Sequence, residues 1–103
     1  MQQAAMIEVK LKLPVNIAES LAKNELISLL LDKAYNKAEY YLTRCNEMEQ
    51  KYGKPFTTFK TQVENSEEEE FQEWDDLIEW EAYEIAYKDW NEKYEELRNC
   101  MKF

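Results

Sequence analysis

The chain has 103 residues, a net charge of −9, no histidine, one glycine, two prolines and two cysteines. This length suits a single domain, and the scarcity of glycine and proline favours helices over hairpin turns. No apolar run approaches the roughly 20 residues of a membrane-spanning helix, and two cysteines are too few for a disulfide framework. We therefore expect one mainly α domain over residues 1–103, located in the cytoplasm, with Cys45 and Cys100 as buried thiols.

Motifs that would carry catalysis are missing. The sequence contains no glycine-rich phosphate loop, no nucleophile elbow and no Cys-x-x-Cys pair. Histidine is the commonest general base and metal ligand, and a carboxylate metal site inside a helical bundle needs a Glu-x-x-His partner. We expect no catalytic residue, no metal and no cofactor. The carboxylates of the last helix are interpreted as a solvated face, comprising Asp75, Asp76, Glu79, Glu84, Asp89 and Glu92.

The net charge lies entirely in the second half of the chain. Residues 1–53 carry seven basic and seven acidic side chains, whereas residues 54–103 carry six basic and fifteen acidic ones. Such a field repels nucleic acid and steers encounters with a basic protein surface. The alternative is that the acidic helix faces serve solubility alone.

Residues 7–13 alternate between apolar and charged side chains, and Pro14 follows them. This period of two predicts a short N-terminal strand with one buried face. No second strand pattern follows, so the strand would have to pair with the same strand of a second copy, which predicts a homodimer. The alternative is an extended segment packed on the helices. The apolar positions are Ile7, Val9, Leu11 and Leu13, and the charged positions are Glu8, Lys10 and Lys12.

A helix, or two helices, is predicted over residues 17–52. Asn16 and Glu19 have the spacing of a capping box, and Asn24 either restarts or continues the helix. Gly53 is expected to end it in the left-handed conformation. Apolar or small residues follow one another at alternating spacings of four and three, which is the heptad pattern of a coiled coil. They are Ile27, Leu31, Ala34, Ala38, Tyr41, Cys45, Met48 and Tyr52.

A short helix and connector are predicted over residues 55–64, followed by a long acidic and aromatic helix over residues 67–101. Ser66 and Glu69 form a second capping-box pattern, and Glu67–Glu70 would then lie in the first turn. Large residues in a second heptad seam would fill the space opposite the small residues of the first seam, giving a long antiparallel helical hairpin. This seam comprises Trp80, Tyr83, Tyr87, Trp90, Tyr94, Leu97 and Met101. A second apolar strip comprises Ile78, Ala82, Ile85 and Ala86.

The N-terminal half resembles the ribbon-helix-helix pattern of small prokaryotic antitoxins from toxin–antitoxin pairs. The resemblance covers residues 7 to about 42: a strand ending in Leu13-Pro14, a helix, and Asn-Glu-Leu-Ile at 24–27 opening another helix with Ala34 downstream. It implies that Glu8, Lys10 and Lys12 occupy DNA-facing strand positions. It also implies that the acidic segment after Gly53 corresponds in layout to the toxin-binding segment of such antitoxins.

These patterns predict an antitoxin-like protein that binds and neutralises a basic partner protein through its last helix. Tryptophan and tyrosine dominate interface hot spots, and Trp74 lies outside the regular heptad. The expected partner-binding residues are Trp74, Asp75, Asp76, Ile78, Glu79, Trp80, Tyr83, Tyr87 and Trp90. The alternatives are a structural or adaptor helical dimer without a toxin partner, and a regulator that binds DNA through Glu8, Lys10 and Lys12.

Overall fold

The structure is a computed structural model that describes residues 5–21, 23–68 and 70–100, without the side chains of residues 23 and 24. Four helices follow in order: α1 Val15–Ser20, α2 Lys23–Tyr52, α3 Phe56–Asn65 and α4 Phe71–Cys100. Helices α2 and α4 have 30 residues each and pack along one another, and α3 packs on α4. The predicted mainly α fold with a long helical hairpin is therefore confirmed. In the described ranges no helix has the length and apolar character needed to cross a bilayer.

The two long helices run antiparallel. Tyr35 contacts Tyr94 with ring centroids 5.7 Å apart, and further along α2 Tyr41 lies 6.2 Å from Tyr83. At the end of α2, Lys51 pairs with Asp76 near the start of α4. The residue number thus rises along one helix as it falls along the other, as in a hairpin.

Small side chains of α2 lie against the large ones of α4. Ala34, Ala38 and Cys45 are buried, and every other position of the predicted α2 seam is at least partly buried. The α4 seam is likewise buried or half-buried from Trp80 to Leu97, while Met101 lies outside the described residues. Large residues opposite small ones allow close packing of the two helices, so the predicted pairing of the seams is confirmed.

The main core lies where α2, α3 and α4 meet. It comprises the buried residues Cys45, Phe59, Val63, Leu77 and Trp80. The Tyr52 ring stacks on Phe59 with centroids 4.1 Å apart. Gly53 has φ +66°, the left-handed conformation predicted for the end of α2, and its N–H donates to the Glu49 carbonyl. The tight turn allows α3 to fold back and close this end of the hairpin.

The predicted strand over residues 7–13 is not supported. These residues have no regular secondary structure, and the described parts of the chain contain no strand with which they could pair. The side chains of Ile7, Val9, Leu11 and Leu13 are 43–86% exposed, so the segment does not pack firmly on the helices either. Among the described residues, the segment therefore has no strand to pair with, and its apolar side chains are exposed.

The capping box predicted at Asn16 and Glu19 is wrong. Helix α1 begins at Val15, and the carbonyl of Pro14 accepts hydrogen bonds from the N–H groups of Ile17 and Ala18 without a side-chain cap. Proline has a fixed φ that suits the start of a helix, so the chain enters the helix two residues earlier than predicted.

The capping box predicted at Ser66 is also wrong, since α4 begins at Phe71. The Ser66 hydroxyl accepts from the N–H of Glu68 at 3.2 Å and donates to the Glu68 carbonyl, which makes a local turn after α3. Trp74 N–H donates to the Glu70 carbonyl. Glu67, Glu68 and Glu70 therefore precede α4, whereas Glu69, the second residue of the predicted capping box, lies outside the described residues. The first turn of α4 carries only Glu73 as an acidic residue.

Candidate protein-binding surface

Helix α4 carries a second apolar face that no described element of the chain covers. Five apolar residues follow one another at spacings of three or four, which places them on one side of a helix. At about 100° per residue, Ile78 and Trp80 point about 200° apart, so this side lies opposite the face that packs on α2. Phe71 is 76% exposed, Ile78 66% and Ile85 63%. We call this surface the α4 strip, which comprises Phe71, Trp74, Ile78, Ala82 and Ile85.

The borders of the α4 strip are acidic. Helical spacing places Asp75 and Glu79 along one border and Glu81 along the other. Asp75 has no ion pair among the described residues, and the Glu81 carboxylate is only loosely paired, 3.4 Å from Lys60 Nζ. The Lys60 and Glu81 side chains are both half-exposed, so their pairing is weak and leaves much of the Glu81 charge available to another molecule.

Glu79 is held in place by a neighbour on α4. Its carboxylate accepts a hydrogen bond from the Tyr83 hydroxyl at 2.5 Å. This hydrogen bond, together with burial and the negative charge of Glu79, raises the pKa of Tyr83 to about 12. The phenol therefore stays protonated at neutral pH and draws the Glu79 carboxylate toward the edge of α4 that faces α2.

The structure divides the predicted partner-binding residues into two groups. Trp74 and Ile78 lie on the α4 strip, and Asp75 and Glu79 lie on its border. Trp80 is only 1% exposed and belongs to the core, which makes it unavailable to a partner in this conformation. Tyr83, Tyr87 and Trp90 are half-buried along the seam with α2.

Asp76 is not part of a solvated face, contrary to the prediction. It is 5% exposed, and its carboxylate accepts hydrogen bonds from Lys51 Nζ at 2.6 Å, from the Tyr52 hydroxyl and from Gln72 Nε2 at 3.0 Å. Burial alone would raise the pKa of Asp76, but the three hydrogen bonds and the charge of Lys51 outweigh it and hold the pKa below its usual 3.8. Asp76 thus links α4 to the end of α2.

Trp90 belongs to a different apolar surface near the far end of the hairpin. Lys93 Nζ lies 4.5 Å and Lys33 Nζ 5.9 Å from its ring centroid. A cleft of about 400 Å³ opens beside it, and Ala5 and Met6 of the N-terminal segment form part of its wall. Trp90 is therefore separated from the α4 strip, which ends at Ile85.

The expected partner-binding residues omitted Phe71, Ala82 and Ile85. The second apolar strip predicted from the sequence includes Ala82 and Ile85, but it begins at Ile78 and so leaves out Phe71. The sequence did contain the necessary pattern, because Phe71, Trp74 and Ile78 continue at helical spacing into that second strip. The buried positions of Leu77 and Trp80, which are 3% and 1% exposed, fix which side of α4 faces inward.

The remaining candidates from the sequence are the predicted DNA-binding residues and the two cysteines. Glu8, Lys10 and Lys12 are exposed, and their role in DNA binding stays a prediction. Cys45 is a buried thiol, as predicted, and burial together with the neighbouring Glu84 raises its pKa to about 12. Cys100 is only half-buried. The ranges that the structure describes contain no group of three or more Cys, Asp or Glu side chains placed to hold a metal ion.

Comparisons of the chain with protein-family models, with curated proteins and with solved structures find no match.

Proposed function

We propose that this chain is an antitoxin-like protein-binding module that masks a basic surface of a partner protein with the α4 strip. The observation that carries the proposal is the exposure of five apolar side chains on the side of α4 opposite the hairpin core. A helix that served only to close the hairpin would be polar on its outward side. A continuous apolar patch with a polar border is typical of a protein interaction site.

The charge of the chain favours a basic partner. The whole net charge of −9 arises from residues 54–103, and Asp75, Glu79 and Glu81 border the α4 strip. Opposite charges around an apolar centre accelerate encounter and select against partners of like charge. The acidic border therefore supports a cationic partner over an anionic one such as nucleic acid.

The uncovered α4 strip also favours partner binding over a self-contained adaptor. An adaptor whose apolar seams were satisfied internally would expose single apolar side chains and not a row of them. The α2–α4 seam already has its partner within the hairpin. The α4 strip therefore needs a different partner.

Trp74→Ala is expected to weaken partner binding by about 2 kcal/mol or more, or about 30-fold in Kd, because tryptophan is a frequent interface anchor. Trp74 is 38% exposed and lies outside the core cluster, so the melting temperature of the free protein should fall less than it would on truncation of a buried core residue. Isothermal titration with a basic protein encoded by an adjacent open reading frame measures the affinity, and calorimetry of the free chain measures its stability.

Tyr40→Ala is the matched control for this experiment. Tyr40 is an aromatic residue of α2 with 52% exposure, outside the α4 strip, and its loss should leave the affinity unchanged. Equal affinities for the wild type and the Trp74→Ala variant would contradict the proposed binding surface. Failure of the wild type to bind any basic neighbour product would contradict the antitoxin-like function.

We further propose that residues 7–13 pair with the same segment of a second copy, which makes the functional unit a homodimer. The alternating apolar residues of this segment are exposed in the single chain. Pairing across a two-fold axis would satisfy the backbone groups and bury the apolar face at once.

Leu11→Asp is expected to convert this dimer to a monomer, because it places a charge on the face that pairing buries. Leu11 is 60% exposed in the single chain, so the helical content should stay the same. Light scattering at micromolar concentration reports the mass, and circular dichroism reports the helices. Lys10→Gln on the opposite side of the segment serves as the control. A wild-type protein that is monomeric at this concentration would refute the dimer.

A further inference from the structure

We infer that the α4 strip receives a basic amphipathic helix of the partner, lying along α4. This inference rests on the proposed function and specifies the element that the partner contributes. A helix such as α4 has satisfied its own backbone hydrogen bonds, so it cannot extend a partner's β-sheet and offers side chains alone. Apolar side chains at spacings of three and four form ridges, which pack best into the grooves of another helix.

The opposite face of α4 shows that a row of apolar side chains on this helix can be covered by another helix. There, Trp80 and Tyr83 continue a seam at the same spacings, and the element that covers it is another helix, α2. The α4 strip presents the same kind of row on the outward side. A second helix laid on that side would make α4 the middle of three packed helices.

The dimensions set the length of the partner helix. The α4 strip extends over fourteen residue steps from Phe71 to Ile85, or about 21 Å at about 1.5 Å per residue. Asp89 and Glu92 continue the same side of the helix beyond Ile85, where apolar contact ends. A partner helix of about four turns would therefore cover the apolar row.

The borders set the charge pattern of the partner helix. Asp75 and Glu79 border one side of the row and Glu81 borders the other. An apolar stripe flanked on both sides by Lys or Arg would pair with these carboxylates, in the way that flanking charges select partners in coiled coils.

The same carboxylates disfavour a second copy of this chain as the occupant. In an antiparallel pair centred on Ile78, Asp75 of one copy would lie beside Glu79 of the other, and the symmetry would repeat this contact. In a parallel pair, Glu79 would lie beside Glu81 of the other copy. Either arrangement brings like charges together, which destabilises the pair and selects a cationic occupant.

The test uses the full chain and three synthetic peptides of about 18 residues, or about five helical turns. The first places leucine at helical spacing and lysine elsewhere; the second has the same composition in strict alternation; the third keeps the leucines and replaces lysine by glutamate. Titrations are followed by amide chemical shifts of the ¹⁵N-labelled protein and by circular dichroism of the peptide.

The lysine helix is expected to bind at least about tenfold more tightly than the alternating peptide, and the glutamate helix is expected not to bind. The largest chemical-shift changes should fall on residues 71–85, and the peptide should gain helix on binding. Ile78→Asp should weaken binding by at least about tenfold. Leu29→Asp is the control, since Leu29 is an apolar residue of α2 with 59% exposure and lies outside the α4 strip.

Equal binding of the alternating peptide would show that charge alone attracts the peptides and would overturn the helical occupant. Chemical-shift changes centred outside residues 71–85, or an unchanged affinity in Ile78→Asp, would overturn the site. These outcomes leave the proposed function standing if the neighbour product binds and Trp74→Ala weakens that binding. If the wild-type chain binds neither the lysine peptide nor the neighbour product, both the inference and the proposed function are rejected.

Discussion

Trp80→Ala is expected to lower the free energy of unfolding by about 3–5 kcal/mol, as large-to-small substitutions of buried aromatic residues do. Trp80 is 1% exposed, and its ring centroid lies 5.3 Å from Phe59 and 5.4 Å from Phe56. The substitution would leave a cavity where α2, α3 and α4 meet and would also remove the indole N–H that donates to Glu84. Urea unfolding followed by far-ultraviolet circular dichroism measures the effect.

Two variants separate the packing of Trp80 from its hydrogen bond. Trp80→Phe keeps an aromatic ring but loses the donor to Glu84, and it should cost less than the alanine variant. Trp74→Ala removes an indole of the same size that is 38% exposed and lies outside the core cluster, so it should cost clearly less stability than Trp80→Ala. A loss in Trp74→Ala equal to that in Trp80→Ala would place Trp74 in the core and contradict the α4 strip as a free surface.

The hairpin could be predicted from sequence because its pattern is long and repeated. Seven spacings of three or four precede Gly53, and the large residues of the second seam match the small residues of the first. A pattern of this length outweighs local propensities. The single glycine marked the turn equally well, since few other residues adopt a left-handed conformation at a helix end.

The helix ends could not be predicted with the same accuracy because several local hydrogen-bond patterns compete there. Ser66 can cap a following helix or bond to the backbone two residues ahead, and the structure has the second arrangement. Likewise, Pro14 supplied the start of α1 through its carbonyl group, although Asn16 and Glu19 had the spacing of a capping box. Sequence spacing alone does not separate these alternatives.

Whether the N-terminal segment forms a strand cannot be decided from the sequence of one chain. Its alternation is genuine in the sequence, but a strand forms only where another strand supplies hydrogen bonds. Only part of the candidate site could be predicted, because its limits also depend on how separate elements pack. Trp74 and Ile78 were identified from chemistry and periodicity, whereas the exclusion of Trp80 required knowing which side of α4 meets α2.

Asp76 shows how a local run of charges conceals a buried position. The neighbouring Asp75 and the nearby Glu79 suggested a solvated face, yet Asp76 lies one turn before Trp80 and so shares its inward side. Two of its three partners, Lys51 and Tyr52, are 25 and 24 residues away in the sequence. No short-range pattern connects them, which explains why the interaction was not predicted.

Asp76→Ala is expected to lower the free energy of unfolding by about 2–3 kcal/mol near neutral pH. The substitution leaves Lys51, Tyr52 and Gln72 without their shared acceptor, and hydrogen bonds to a charged group contribute more than neutral ones. Lys51 is half-exposed and can turn to water, which keeps the loss below that of a fully buried ion pair. Urea unfolding at about pH 7 measures this difference.

The pH dependence of the same variant tests the origin of the effect. Because the pKa of Asp76 is lower in the folded chain than its usual 3.8, its contribution to stability is fully present above the unfolded pKa and is lost as the pH falls through the folded pKa. The stability difference between wild type and Asp76→Ala should therefore shrink between about pH 5 and about pH 2. Asp75→Ala, which removes an exposed neighbour without an ion pair in the described residues, is the control at about pH 7 and should cost less stability than Asp76→Ala. A difference for Asp76→Ala that stayed constant over this range would mean that packing, and not the charged hydrogen bonds, holds the end of α2 against α4.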